Sequence, residues 1–154
     1  MAAQKLLLPY NFSDSDRKAL DFAISTFGHR DDIEVTIFHA HTPLPSIDVS
    51  SETVTGRLKQ NISYLTQKVS EVETSLQEVK AELVRHGFSD DRVKVKFKPR
   101  KKEIAAEIID FHASEKFNLM VLNRKAGRIG RFFTGSVCNK VITSLRDMTI
   151  CIVS

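Results

Sequence analysis

Cysteine is scarce in this 154-residue chain, with Cys138 and Cys151 the only two. A disulfide framework is therefore excluded, and the apolar segments around both residues suit a reduced, cytoplasmic setting. Proline (four) and glycine (six) are sparse as well. No internal repeat or low-complexity linker divides the chain, so one domain over residues 1–154 is expected. Long hydrophobic runs are missing, and none approaches the roughly 20 residues that a membrane span needs. The opening Met1-Ala2-Ala3-Gln4 leads into Lys5-Leu6-Leu7-Leu8 with no signal-peptide hydrophobic region. What remains is an ordinary globular balance, 42% hydrophobic and 27% charged, in a chain long enough to bury a core without staples.

The formal net charge is small, +4 from 23 basic and 19 acidic residues, but it is unevenly spread. Lys94, Lys96, Lys98, Arg100, Lys101 and Lys102 crowd one stretch, and Arg124, Lys125, Arg128 and Arg131 another. Such clusters either attract phosphate-bearing partners or are solvated charges that offset acidic helices.

Apolar patterning predicts five strands alternating with four helices. Lys5 to Leu8 is short and continuous, as in a central strand covered on both faces, and Pro9 ends it. Ser13 followed by Asp16 makes a capping-box start for a helix carrying Ala19, Phe22, Ala23 and Phe27, with Gly28 as its stop. Ile33 to His39 is rich in β-branched residues, as a strand should be. Leu58, Ile62, Leu65, Val69, Val72, Leu76, Val79 and Leu83 then alternate in steps of four and three along one long helix, ended by Gly87. That stripe fits either a cover for the sheet or a coiled-coil seam. Val93, Val95 and Phe97 alternate with lysines, as in a strand near the sheet edge. Ile104 to His112 forms a helix, Leu119 to Leu122 a strand, Val137 to Leu145 the last helix and Thr149 to Val153 the last strand. Right-handed crossovers make this a parallel, doubly wound αβα sandwich, with Leu6, Leu7, Val35, Ile37, Val121 and Ile150 expected in the core.

In such sheets ligands sit beyond the carboxyl ends of the strands. Two loops there carry suitable chemistry, Pro9-Tyr10-Asn11 to Ser13 and Asn123 to Ser136. The second runs Leu122-Asn123-Arg124-Lys125-Ala126-Gly127-Arg128-Ile129-Gly130 and reaches Gly135-Ser136-Val137 at the last helix. A strand, a glycine-bearing basic loop and a helix start can build an anion site from backbone amides, with Ser136 as an added donor. The plainer reading is that Ser136 caps and the glycines turn. His39 and His41 face one side of a strand as a candidate metal pair, but no third ligand has suitable spacing. Cys138 falls in the first turn of the last helix, where burial competes with activation. No Ser-His-Asp arrangement or paired carboxylates can be read, so no catalytic residue is assigned and any ATP hydrolysis would be slow. A two-component receiver needs an acidic cluster after its first strand, where Tyr10 and Asn11 stand.

The opening Lys5 to Ser13, the later Ala19-Leu20, the Val35 to His39 strand and the ending from Asn118 to Ser154 resemble the universal stress protein family in order and spacing. The resemblance covers essentially the whole chain. It implies an adenine nucleotide alpha-hydrolase-like fold with strand order 3-2-1-4-5, which sets the first and fourth strands side by side. It also implies homodimers joined through the final strand, Thr149 to Val153, and two groups of members, one that binds ATP and one that does not. ATP-binding members carry an aspartate where Asn11 stands and Gly-x-x-Gly where Asn123-Arg124-Lys125-Ala126 stands. The spacing from Ala126 to Gly135 is one residue shorter than usual, and a glycine common after the third strand is Lys98 or Phe97. Gly135-Ser136-Val137 survives, with Gly127 and Gly130 one step out of register.

Asparagine at 11 offers a donor and an acceptor but no charge. Residues other than glycine at 123 and 126 place Cβ atoms near the phosphate path. Arg124, Arg128 and Lys125 can offset this through charge-assisted contacts. The expected site combines Pro9, Tyr10, Asn11 and Ala40 around the base with the 122–137 stretch around the phosphates, taking ATP with magnesium or another adenine nucleotide. Two other readings stand beside it. One is a ligand-free dimeric module that acts through partner proteins. The other is a basic nucleic-acid binder, which lacks aromatic–basic interleaving and a helix-turn-helix pattern.

Overall fold

The computed structural model describes residues 3–44, 56–124 and 137–154. Along the chain run β1 (Gln4–Pro9), α1 (Asp14–Phe27), β2 (Ile33–His41), α2 (Gly56–Arg85), a 3-10 turn (Asp90–Arg92), β3 (Val93–Pro99), α3 (Ile104–Glu115), β4 (Leu119–Asn123), α4 (Val137–Ser144) and β5 (Thr149–Val153). The sheet has five strands in the order β3-β2-β1-β4-β5, and every pairing is parallel. The expected architecture is therefore the observed one, and the lysine-bearing strand β3 lies at an edge.

Strand alternation divides the core into two layers. Leu6, Leu8, Val35, Ile37 and Val121 pack with Ala19, Leu20, Ala23 and Phe27 of α1 and with Leu76, Val79 and Leu83 of α2. Leu7, Phe38, Met120 and Leu122 pack on the other side with Ala105, Ile108, Phe117, Cys138 and Val141. Of the six core residues expected, five are fully buried. Ile150 is only partly buried against the second layer, because β5 is an edge strand.

Ser13 caps α1 with the full capping box, its hydroxyl accepting from the Asp16 amide while the Asp16 carboxylate accepts from the Ser13 amide. Gly28 does not end α1 as a left-handed stop, since its φ is −61°. Its reason is room, for a Cβ there would lie 2.5 Å from the Ile24 carbonyl and 2.9 Å from that of His86. Gly87 does carry a positive φ, +115°.

The long stripe on α2 serves two environments. Val72, Leu76, Val79 and Leu83 pack on the sheet layer, but Leu65 is 39% exposed and Ile62 and Val69 are only partly buried. Residues 56–71 add about 24 Å of helix at 1.5 Å per residue, ahead of the part that packs on the core. The helix covers the sheet with its second half only.

Candidate functional site

Strand pairing itself opens the crevice. β1 pairs with β2 along its whole length, Gln4↔Ile33 to Pro9↔Phe38. With β4 it pairs only at Leu6↔Leu119 and Leu7↔Met120. Pro9 has no N–H to continue a ladder, and the Tyr10 amide donates to the Phe38 carbonyl at 2.9 Å. The end of β1 thus leans toward β2. β4 stays in register with β5 through Asn123↔Val153, and the Arg124 amide extends that side by donating to the Val153 carbonyl at 2.8 Å. The two strands part where the strand order reverses, the place at which open parallel sheets bind ligands.

Of the residues expected there, Pro9, Tyr10 and Asn11 lie on one side of the gap and Leu122, Asn123 and Arg124 on the other. Asn11 and Arg124 are exposed, while Tyr10 and Leu122 are buried. Val137 stands 38% exposed at the start of α4. Ala126, Gly127, Arg128, Gly130, Gly135 and Ser136 lie outside the described residues. Ala40 packs in the α3–α4 layer, whereas Tyr10 packs in the α1–α2 layer. The residue of β2 that meets Tyr10 is instead His39, whose Nδ1 lies 2.8 Å from the Tyr10 carbonyl.

Three further residues bear on the site. Phe12 is 40% exposed and holds φ at +60°, a left-handed conformation unusual for a bulky side chain. Its ring meets Tyr10 edge-on at 5.0 Å and His39 at 5.7 Å. The stack continues from His39 to Phe97 at 6.0 Å and from Phe97 to His41 at 4.6 Å. Phe97 thus separates the two imidazoles of the candidate metal pair, and the described residues hold no group of three or more His, Cys, Asp or Glu suited to a metal. Burial pushes the His39 imidazole below its ordinary value, against the hydrogen bond to Tyr10. The ring is therefore neutral at pH 7, with Nδ1–H donating to the carbonyl.

Asp16 is the third, and the sequence identified it only as a cap. It is 5% exposed, and its Oδ1 accepts from Asn123 Nδ2 at 2.5 Å. That bond joins the first turn of α1 to the end of β4 across the gap.

Electrostatics around the site are mixed. Burial raises the Cys138 thiol, opposed by the charge of Arg124, so Cys138 is a packing residue with a guanidinium nearby. Much of the lysine cluster on and after β3 is matched by acids, with Lys94 2.5 Å from Glu34, Lys98 2.6 Å from Glu107 and Lys102 2.8 Å from Asp110. Two open cavities lie away from the gap. One, of about 190 Å³, is bounded by Lys5, Lys94, Lys96, Phe111 and Phe117. The other, of about 500 Å³, lies between α1 and α2 beside Phe12 and Arg17.

A parallel sheet of this order with its gap at the reversal defines a doubly wound α/β fold with a ligand crevice at its switch point. The model of the universal stress protein family matches residues 2–150, and the chain belongs to that family. Among solved structures it is similar to the universal stress protein UspA from Lactobacillus plantarum, at 15% identity and a TM-score of 0.69 over 100% of this chain and 99% of that one. A universal stress protein in complex with cAMP aligns at 16% identity and a TM-score of 0.67, covering 99% and 98% of the two chains. One from Archaeoglobus fulgidus in complex with dAMP aligns at 17% identity and a TM-score of 0.64 over the full length of both. No curated protein matches the sequence significantly.

Proposed function

We propose that this chain is a stress-response regulatory protein that binds an adenine nucleotide in the crevice between the ends of β1 and β4. The observation that carries the reading is the parting of those strands after Leu7 and Met120, at the reversal point of the sheet. Universal stress proteins solved with cAMP and with dAMP share the fold, which supports adenine as the base. The base lies beside Pro9, Tyr10 and the end of β2 at His39, the residue that meets Tyr10. The phosphates, with magnesium in the case of ATP, meet the amides of Gly135, Ser136 and Val137 and the side chains of Arg124 and Arg128. The sequence places the Ser136 hydroxyl and several basic residues just ahead of the start of α4, where a helix favours negative charge.

Calorimetric titration with AMP and with magnesium ATP tests the reading. Ser136→Ala should weaken binding by about 1 kcal/mol, rising to about 3 if the hydroxyl meets a charged phosphate. Gly135→Val should abolish binding and leave the melting temperature unchanged. Equal affinity in all three proteins would place the ligand elsewhere. No heat from the wild type at millimolar concentration would favour the second reading, a dimeric module acting through partner proteins. The specific support for that reading is the apolar stripe of Ile62, Leu65 and Val69, which lies outside the packed core of the described residues.

The proposal includes a homodimer built through β5. That strand lies at the sheet edge, Ile152 is 48% exposed, and an unprotected apolar edge invites pairing. Ile152→Lys should convert the dimer to monomer in sedimentation velocity without altering the circular dichroism spectrum; a persistent dimer would move the interface to another face. A cytoplasmic setting is part of the same reading, supported by the free thiols of Cys138 and Cys151. Among the described residues no helix is long and apolar enough to cross a membrane.

A further inference from the structure

The α3–α4 face of the sheet is polar at its β3 edge. Register partners share a face, so Thr36↔Lys94 and Phe38↔Lys96 turn both lysines to that side. The apolar layer there includes Leu7, Phe38 and Phe117 but no residue of β3. Between the lysines and α3 lies the cavity of about 190 Å³. Phe111 and Phe117 line it, with ring centroids 5.3 Å apart.

Two polar groups in the lining are left without protein partners. Thr36 is 6% exposed, and its hydroxyl makes no hydrogen bond among the described residues. No fully buried polar atom lacks a partner, so this hydroxyl opens on the cavity that Thr36 lines. Lys94 lies 2.5 Å from Glu34, and Lys5 lies 3.6 Å from Glu115. Lys96 has no acidic partner among the described residues; its ammonium stands over the Phe111 ring, 6.0 Å from the centroid. The lining thus sets Lys5, Lys94 and Lys96 against Glu34 and Glu115, an excess of one positive charge.

One monoanion balances that charge, with Lys96 and the Thr36 hydroxyl as donors to it. A phosphate dianion would overshoot the balance and would leave the two rings without an apolar partner. The volume falls below the roughly 300–1,000 Å³ of pockets that hold drug-sized ligands, which limits the ligand to a single ring.

We propose that this cavity binds a small aromatic monocarboxylate, its carboxylate on Lys96 and Thr36 and its ring against Phe111 and Phe117. The site lies away from the crevice between β1 and β4 and does not depend on the nucleotide reading.

Amide chemical-shift titration of the isotope-labelled chain with benzoate, at constant ionic strength, tests the proposal. Benzoate should bind in the millimolar range and move the amides of Thr36, Lys96 and Phe117, with Tyr10 and Arg124 unmoved. Benzamide, of the same shape but uncharged, should bind about tenfold more weakly, the scale of one hydrogen bond to a charged group. Acetate, which has no ring, should lose at least as much. Lys96→Met keeps an apolar stem and should weaken benzoate about tenfold while leaving benzamide within about twofold. Thr36→Val keeps the shape and should weaken benzoate about fivefold. Lys18→Met removes an exposed charge from α1 and should change nothing. Circular dichroism checks each fold, and the ligand series on the wild type decides even if a variant fails to fold. No shifts at these amides, equal affinity for benzamide or acetate, or equal weakening by Lys18→Met and Lys96→Met would overturn the proposal.

Discussion

Gly87→Ala is expected to lower the melting temperature by about 10 °C, an effect set by backbone contact alone. Gly87 holds φ at +115°, and a Cβ there would lie 2.4 Å from the Gly28 carbonyl oxygen. Gly28 in turn faces the carbonyls of Ile24 and His86. The ends of α1 and α2 therefore touch main chain to main chain, and neither can yield by rotating a side chain. Conformational strain contributes about 1–2 kcal/mol and steric overlap about 1–3 kcal/mol, or about 3 together. Scanning calorimetry measures the shift. A fall of less than about 2 °C would mean that the contact relaxes easily.

Glu107→Ala should cost a similar amount for an electrostatic reason. Glu107 is 3% exposed, with Lys98 Nζ 2.6 Å from its carboxylate and the amides of Lys101 and Lys102 donating to Oε1 at 3.0 and 3.1 Å. The N-cap of α3, Glu103, makes no side-chain cap bond, so Glu107 satisfies the approach to the helix from within its first turn. Removing it strands two amides and an ammonium. Breaking a buried pair costs about 3–5 kcal/mol, and the partial exposure of Lys98 puts the expectation near the lower end, about 3. The Lys98 bond, chiefly, holds the carboxyl below its ordinary value of 4.5. The folded state therefore binds that proton less readily than the unfolded state does. Its stabilisation is present above about pH 4.5 and is lost as the pH falls through the folded value. Urea titrations at pH 7 and pH 3 should show a wild-type advantage that shrinks in acid; an advantage that grows would contradict the assignment.

Much of this molecule was legible in its sequence because burial writes itself into short apolar runs. Leu6-Leu7-Leu8 and Met120-Val121-Leu122 read as covered central strands, and they are. Ser13 with Asp16 read as a capping box, and both of its bonds are present. The α2 stripe was equally plain, but periodicity reports a face and not the extent of the sheet beneath it, so it hid that the helix reaches the core only from Val72 onward. Gly28 does cap the end of α1, but the reason for glycine there, the close carbonyls of Ile24 and of His86 just past the end of α2, does not show in its own segment.

The site was legible in outline only. Asn11 and Asn123 stood out by position. The Asp16–Asn123 hydrogen bond did not, because the two residues are 107 apart in sequence and Asp16 already had a sufficient role as a cap. Ala40 was taken for the wall beside Tyr10, yet alternation along β2 turns Ala40 to the opposite layer and presents His39. The left-handed backbone at Phe12 leaves no mark in composition, since asparagine or glycine is the residue type that would have announced it.

The central claim is that an adenine nucleotide enters the gap between β1 and β4. Amide chemical-shift mapping of the isotope-labelled chain, titrated with AMP, tests it most directly. The account predicts shifts at Tyr10, Asn11, Asn123, Arg124 and Val137, with Lys5, Lys94 and Phe117 unmoved at the cavity beside α3. Shifts gathered at that cavity with the crevice amides silent, or no shifts at millimolar AMP, would contradict it.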